Sequence, residues 1–134
     1  MQRSFKRDLG SLAELFEFTK EAATRYRLDE GAVYAVDLAV EELFTNMVKY
    51  GGGDHDVSVG IDVQDGALVI ELTHPGATPF DVTAAGPVDT EKPLEDRVPG
   101  GIGLHLVRRV MDVVSYTHEN GAARVVLKKR LGGS

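Results

Sequence analysis

A chain of 134 residues with 43% hydrophobic and 27% charged side chains is sized for one globular domain, 1–134, with a core of its own. It contains no cysteine, which excludes disulfides, thiolate metal sites and a cysteine nucleophile, and suits a reducing compartment. Its formal net charge of −6 argues against direct nucleic-acid binding, which needs a basic face.

Residues 1–8 alternate and carry mixed charge, as an edge strand does. From Ser11, apolar residues at Leu12, Leu15, Phe16, Ala22, Ala23 and Tyr26 recur at helical spacing, with Ser11 and Glu14 expected as a capping box and an end near Arg27. Asp29 is the candidate N-cap of a second helix through Val33, Val36, Leu38, Val40, Leu43, Phe44, Met47 and Val48, which stops at Gly51–Gly53. Val57, Val59, Ile61 and Val63 alternate with small or polar residues, Asp65–Gly66 makes a two-residue turn, and Leu68, Ile70 and Leu72 alternate again, so a hairpin is expected. Residues 74–99 hold several prolines and little periodicity and read as a long loop. Gly100–Gly103 then opens a third helix with Leu104, Val107, Val110 and Met111 on one face. Strands at Val113–His118 and Ala123–Lys129 follow, joined by a turn at Glu119–Gly121.

These stripes are buried most simply by an antiparallel sheet covered on one face by helices, an α+β fold whose other sheet face is wet or a subunit interface. The basic clusters Arg108–Arg109 and Lys128–Arg130 read as solvated faces. No apolar run approaches the roughly 20 residues that span a membrane. No signal-peptide core stands near the start, so no membrane partner and a cytoplasmic location are expected.

Three fragments carry chemistry. Glu42 and Asn46, four apart on the second helix, project from one face, where a carboxylate can activate a nucleophile and a carboxamide can offer a hard oxygen to Mg²⁺. By itself this pair is more readily a plain solvated helix face than a site. Gly100-Gly101-Ile102-Gly103-Leu104, before an amphipathic helix, allows close backbone approach at free N–H groups and makes an anion site, although glycine turns before helices are common. It is neither a Walker loop nor a dinucleotide fingerprint. Thr73-His74-Pro75-Gly76, at a strand end, fixes a tight path that is also the path of a plain turn. Four scattered histidines without i, i+4 pairing do not make a metal site.

The order and spacing of the fragments add more. Glu42-x-x-x-Asn46 on a helix, then Gly76-x-x-Pro79-Phe80-Asp81 after a strand, then Gly100-Gly101-Ile102-Gly103-Leu104-His105-Leu106-Val107-Arg108-Arg109 resemble the GHKL, or Bergerat-fold, ATPases. Within them the chain is most similar to the anti-sigma-factor serine kinases, from about Phe5 to Lys129. The resemblance implies a two-layer α/β sandwich with a mostly antiparallel sheet covered on one face by about three helices. It implies ATP and Mg²⁺ as cofactors, Glu42 as catalytic base, and Asn46 as the Mg²⁺ ligand. It also implies nucleotide binding by His74, Gly76, Gly100, Gly101, Gly103 and Leu104, under a lid at about Pro79–Pro99. The phosphoryl acceptor it implies is a serine of an anti-sigma antagonist protein, with a sigma factor as binding partner and a homodimer as assembly.

One position departs from the family. Its strand-end motif begins with an aspartate that accepts a hydrogen bond from the adenine amine, where this chain has His74. A carboxylate only accepts, whereas a neutral imidazole has one donor and one acceptor. Loss of a charge-assisted bond in a buried pocket costs roughly 1.5–3 kcal/mol. Two alternatives to a kinase therefore stand: a nucleotide-impaired module that sequesters a sigma factor or related regulator without catalysis, and a pocket for a different nucleotide or small ligand.

Overall fold

The computed structural model describes residues 1–50, 55–76 and 101–131. The expected stops at Gly51–Gly53, the lid and Gly100 lie outside these residues. In chain order the elements are β1 (Gln2–Phe5), a 3-10 turn (Leu9–Ser11), α1 (Leu12–Arg25), α2 (Glu30–Tyr50), β2 (Val57–Gln64), β3 (Ala67–Pro75), α3 (Gly101–Val110), β4 (Val113–Glu119) and β5 (Ala122–Arg130). The strands form one sheet in the order β1-β2-β3-β5-β4. Every neighbouring pair is antiparallel. The expected α+β architecture is the one observed.

Both hairpins are set by turn chemistry. Asp65 and Gly66 have φ of 53° and 75°, and Asn120 and Gly121 have 54° and 76°. Two successive positive φ values define the turn whose twist matches paired strands, and Asp-Gly and Asn-Gly supply it at least cost. Ile61 then faces Ile70, and Ile70 faces Leu127, so the apolar residues of all three strands share one face.

That face is covered by α1 and α2. Leu15, Phe18 and Ala22 of α1 are buried, and so are Val36, Val40, Leu43 and Phe44 of α2. Ala32, Ala35 and Ala39 are buried too, and their small side chains allow α2 to pack closely as the central helix. Phe5 is the inward residue of β1 and meets Phe18 and Phe44 edge-on at ring-centroid distances of 5.7 and 6.4 Å. The opposite sheet face is mixed: Val69, Val113 and Val126 stand among polar pairs, in which Gln2 Nε2 donates to Ser58 Oγ at 2.7 Å and Arg124 donates to both Glu71 carboxylate oxygens at 2.8 and 3.1 Å.

The helix ends divide into one expected cap and one correction. Asp29 Oδ1 accepts from the Ala32 N–H at 2.8 Å, as an N-cap does. Ser11 and Glu14 do not form the expected capping box. Ser11 is already helical, at φ −78° and ψ −8°, because a 3-10 turn leads into α1. Its hydroxyl therefore donates to the Lys6 carbonyl at 2.8 Å instead of receiving an N–H of α1. At the other end of α1, Arg27 takes φ 52°, and the Leu28 and Arg27 N–H groups donate to the Ala23 and Thr24 carbonyls. This is a Schellman closure, built here with arginine where glycine is usual.

Candidate functional site

Glu42 and Asn46 lie one turn apart on α2, with their neighbours Leu43, Phe44 and Met47 turned into the core. Glu42 is half-buried. Burial holds its pKa above the ordinary 4.5, the adjacent Glu41 charge adds to the rise, and Lys49 opposes it. Asn46 is 4% exposed, and its Nδ2 has no hydrogen-bond partner among the described residues. A plain solvated face does not describe it, because burying an amide donor unpaired costs about 1–3 kcal/mol.

The C-terminal turn of α2 is capped from afar. Arg7 Nη1 donates to the Met47 and Val48 carbonyls at 3.3 and 2.9 Å, placing a cation where the helix dipole is negative. Sequence reading missed this residue.

His74 is not the first residue of a loop, as expected from the prolines, but the last inward side chain of β3, paired with Ala123 of β5. It is fully buried, and neither ring nitrogen has a hydrogen-bond partner among the described residues. Burial lowers its pKa below 6.5, and the charges of Arg7 and His55 lower it further, so it is held neutral. Stability follows from the sign of that shift. Above pH 6.5 the imidazole is neutral in both folded and unfolded chains and imposes no penalty. As pH falls from there toward the lower folded pKa, the unfolded chain takes the proton first and stability is lost. Urea unfolding at pH 7.5 and 5.5 is expected to show a fall in midpoint that is smaller in His74→Gln; an equal fall in both would remove His74 as its source.

Gly76 follows at φ 71°, and its N–H donates to the Gly121 carbonyl at 2.6 Å, tying the end of β3 to the β4–β5 turn. A Cβ here would stand 2.6 Å from His55 Cδ2. His55, grouped with the scattered histidines in the sequence, thus closes over the strand end beside His74. Its ring is exposed and can swing aside, so most of the cost of a side chain at Gly76 is the left-handed backbone. Gly76→Ala is expected to lower stability by roughly 1–2 kcal/mol, and Gly76→Asn by less, in urea titrations. Equal stability of the alanine variant and wild type would show that the turn is not held.

The glycine stretch is placed in part. Gly101 and Gly103 lie inside the first turn of α3 rather than ahead of it, while Gly100 and the side chain of Leu104 lie outside the described residues. First-turn N–H groups have no intrahelical acceptor, and glycines leave that backbone bare. The other end of α3 is firmly held. Val107 and Met111 enter the core, Lys129 Nζ donates to the Val110 carbonyl at 3.2 Å, and Asp112 Oδ2 accepts from the Arg130 N–H at 2.6 Å. The Val107–Asp112 stretch is therefore the mount of the helix, and α3 packs against α2. Among the described residues no group of three His, Asp or Glu is placed to hold a metal by itself, and no helix is long and apolar enough to cross a membrane.

The family described as "Histidine kinase-like ATPase domain" matches residues 5–129. Among curated proteins, the chain is 31% identical over 100 residues to "Serine-protein kinase RsbW" of Halalkalibacterium halodurans, covering 69% of this chain and 60% of that protein. It is 29% identical over 113 residues to the protein of the same name from Listeria monocytogenes, covering 79% of this chain and 71% of that one. The chain thus spans less than two thirds of the first of these relatives. In fold it is similar to the RsbU and RsbW domains of a Mycobacterium tuberculosis protein, with TM-score 0.71 at 13% identity over 98% of this chain and 32% of that one. It is also similar to the Acinetobacter baumannii histidine kinase AdeS, with TM-score 0.57 at 12% identity over 99% of this chain and 68% of that one. The match over 5–129, together with the helix-borne Glu42 and Asn46 and the glycine-led α3, shows that this chain belongs to the histidine kinase-like ATPase domain family.

Proposed function

We propose that this chain is an anti-sigma regulatory factor with ATP-dependent serine kinase activity toward an anti-sigma antagonist protein. The observation that carries the reading is Asn46, a buried carboxamide whose amide nitrogen has no partner among the described residues, one turn from a half-buried carboxylate on the helix that packs against the glycine-led α3. The relatives named as serine-protein kinases support the same reading.

The residues divide the work by their chemistry. The free N–H groups at Gly101 and Gly103, with Gly100 ahead of them, bind the phosphates, and Gly76 and His74 border the base. Asn46 would offer its carboxamide oxygen to Mg²⁺, a hard-oxygen ligand held still by packing. The bound ion would neutralise charge on the phosphates. Glu42 takes the proton of the antagonist's serine hydroxyl as its oxygen bonds to the γ-phosphorus and the bond from that phosphorus to the bridging oxygen breaks, releasing ADP. The raised pKa of Glu42 makes it a stronger base than an exposed glutamate once deprotonated.

The proposal extends to a homodimer that works in the cytoplasm and binds a sigma factor, which gel filtration with light scattering and pull-down with purified sigma factors test. One observation favours a competing reading, a module that sequesters its partner without catalysis: His74, buried in place of the family's aspartate. Phosphate transfer from γ-labelled ATP to antagonist candidates separates the two. Incorporation lost in Asn46→Ala supports the kinase; none at millimolar ATP with Mg²⁺ leaves the sequestering module.

A further inference from the structure

The support of Asn46 does not come from α2 alone. The last four carbonyls of a helix have no intrahelical donor, and in α2 these belong to residues 47–50. Arg7 Nη1 donates to the first two of them, Met47 at 3.3 Å and Val48 at 2.9 Å, from a turn about forty residues earlier in the chain. That turn is itself fixed. Phe5 sits in the core against Phe18 and Phe44, and the Lys6 carbonyl accepts from both the Asp8 N–H and Ser11 Oγ at 2.8 Å. The half-buried guanidinium therefore meets α2 as a preset strut, and its planar fork gives up little freedom on bonding.

Asn46 directly precedes the two bonded carbonyls and is buried, so its carboxamide keeps one setting only while the last turn of α2 stays helical. Helix ends fray first, and fraying that reaches Met47 would free the Asn46 backbone and turn its side chain. Mg²⁺ tolerates little of this, because it demands near-ideal octahedral geometry from its oxygens. Removing a group that orients a metal ligand from outside the coordination sphere typically costs about 10–100-fold in metal affinity.

We propose that Arg7 is a positioning residue of the site: by holding the last turn of α2 from the end of β1, it keeps Asn46 oriented toward Mg²⁺. The role rests on the reading of Asn46 as the Mg²⁺ ligand, and it gives β1 a part in a site to which it contributes no ligand. A plain helix cap adds to stability alone. A positioning residue also sets how nucleotide binding depends on Mg²⁺, and leaves untouched the binding that needs no metal.

Calorimetric titration of the full chain with a slowly hydrolysed ATP analogue, over a series of Mg²⁺ concentrations and in EDTA, compares wild type with two variants. Arg7→Met keeps the apolar stem and removes the donor. It is expected to raise the Mg²⁺ concentration needed for half of the affinity gain about tenfold, with the affinity in EDTA unchanged. Arg7→Lys, a cation without the fork, is expected to fall between Arg7→Met and wild type. Amide hydrogen exchange at the end of α2, followed without nucleotide, should quicken in the same order. An equal loss with Mg²⁺ and in EDTA would make Arg7 a charge acting on the nucleotide and overturn the positioning role. Faster exchange with an unchanged Mg²⁺ dependence would reduce Arg7 to a helix cap and leave the kinase reading standing. Absence of nucleotide binding by wild type overturns both. If Arg7→Met does not fold, Arg7→Lys decides by the same comparison, and an unchanged Mg²⁺ dependence there overturns the role.

Discussion

Glu42→Gln is expected to cut phosphoryl transfer by about 10²–10⁴-fold, the usual range for loss of a positioned general base. Glutamine keeps the size and the hydrogen-bonding reach of the side chain but cannot take the serine proton. The fold should not suffer. Burial and the Glu41 charge raise the pKa of Glu42 above 4.5, so its charged form is less favourable in the folded chain than in the unfolded one. That cost is present above the folded pKa and absent below the unfolded one, and a neutral glutamine removes it at pH 7. A melting temperature equal to or slightly above wild type is the expected companion result. Wild-type transfer should fall with pH as it drops through a pKa above 4.5. A Glu42→Gln chain that transfers at the wild-type rate would take Glu42 out of the chemistry.

The largest stability effect is expected at Phe5→Ala, about 3–5 kcal/mol, a large part of the 5–15 kcal/mol that holds a typical domain. Phe5 is 2% exposed and is the inward residue of a strand otherwise turned to solvent. Its ring fills the space between Phe18 of α1 and Phe44 of α2, so its loss opens a cavity where three elements meet. The same strand leads to Arg7, which caps α2, so loosening β1 also loosens the helix that bears Asn46. Urea unfolding should show a lower midpoint with unchanged slope, and Phe5→Leu should recover most of the loss. A midpoint within experimental error of wild type would mean that β1 does not hold the helices.

Much of this architecture was legible from local signals. Asp65–Gly66 and Asn120–Gly121 specify their turns through two positive φ values, and Asp29 specifies the start of α2 through one side-chain oxygen. The strand order was not legible, since β5 lies between β3 and β4 and only long-range pairing decides that. The Ser11 capping box failed because a preceding 3-10 turn had already set the backbone of Ser11.

The site was legible where spacing carries it. One helical turn put Glu42 and Asn46 on one face, but the spacing does not tell what covers that face, and Asn46 proved buried. Arg7 was missed because its role is set by carbonyls some forty residues away on α2, with no local pattern around it. His55 was set aside as one of four scattered histidines, and only the folded chain brings it over Gly76. His74 looked like a loop residue because Pro75 follows it, yet β3 runs through both.

ATP is expected to bind with Mg²⁺ at the face shared by α2 and the start of α3. Calorimetry with a slowly hydrolysed ATP analogue, with Mg²⁺ and then with EDTA, tests this most directly on wild type and Asn46→Ala. Saturable binding, weakened tenfold or more by EDTA and by the substitution, is the predicted result. No binding at millimolar concentration, or binding indifferent to both Mg²⁺ and Asn46, would contradict it.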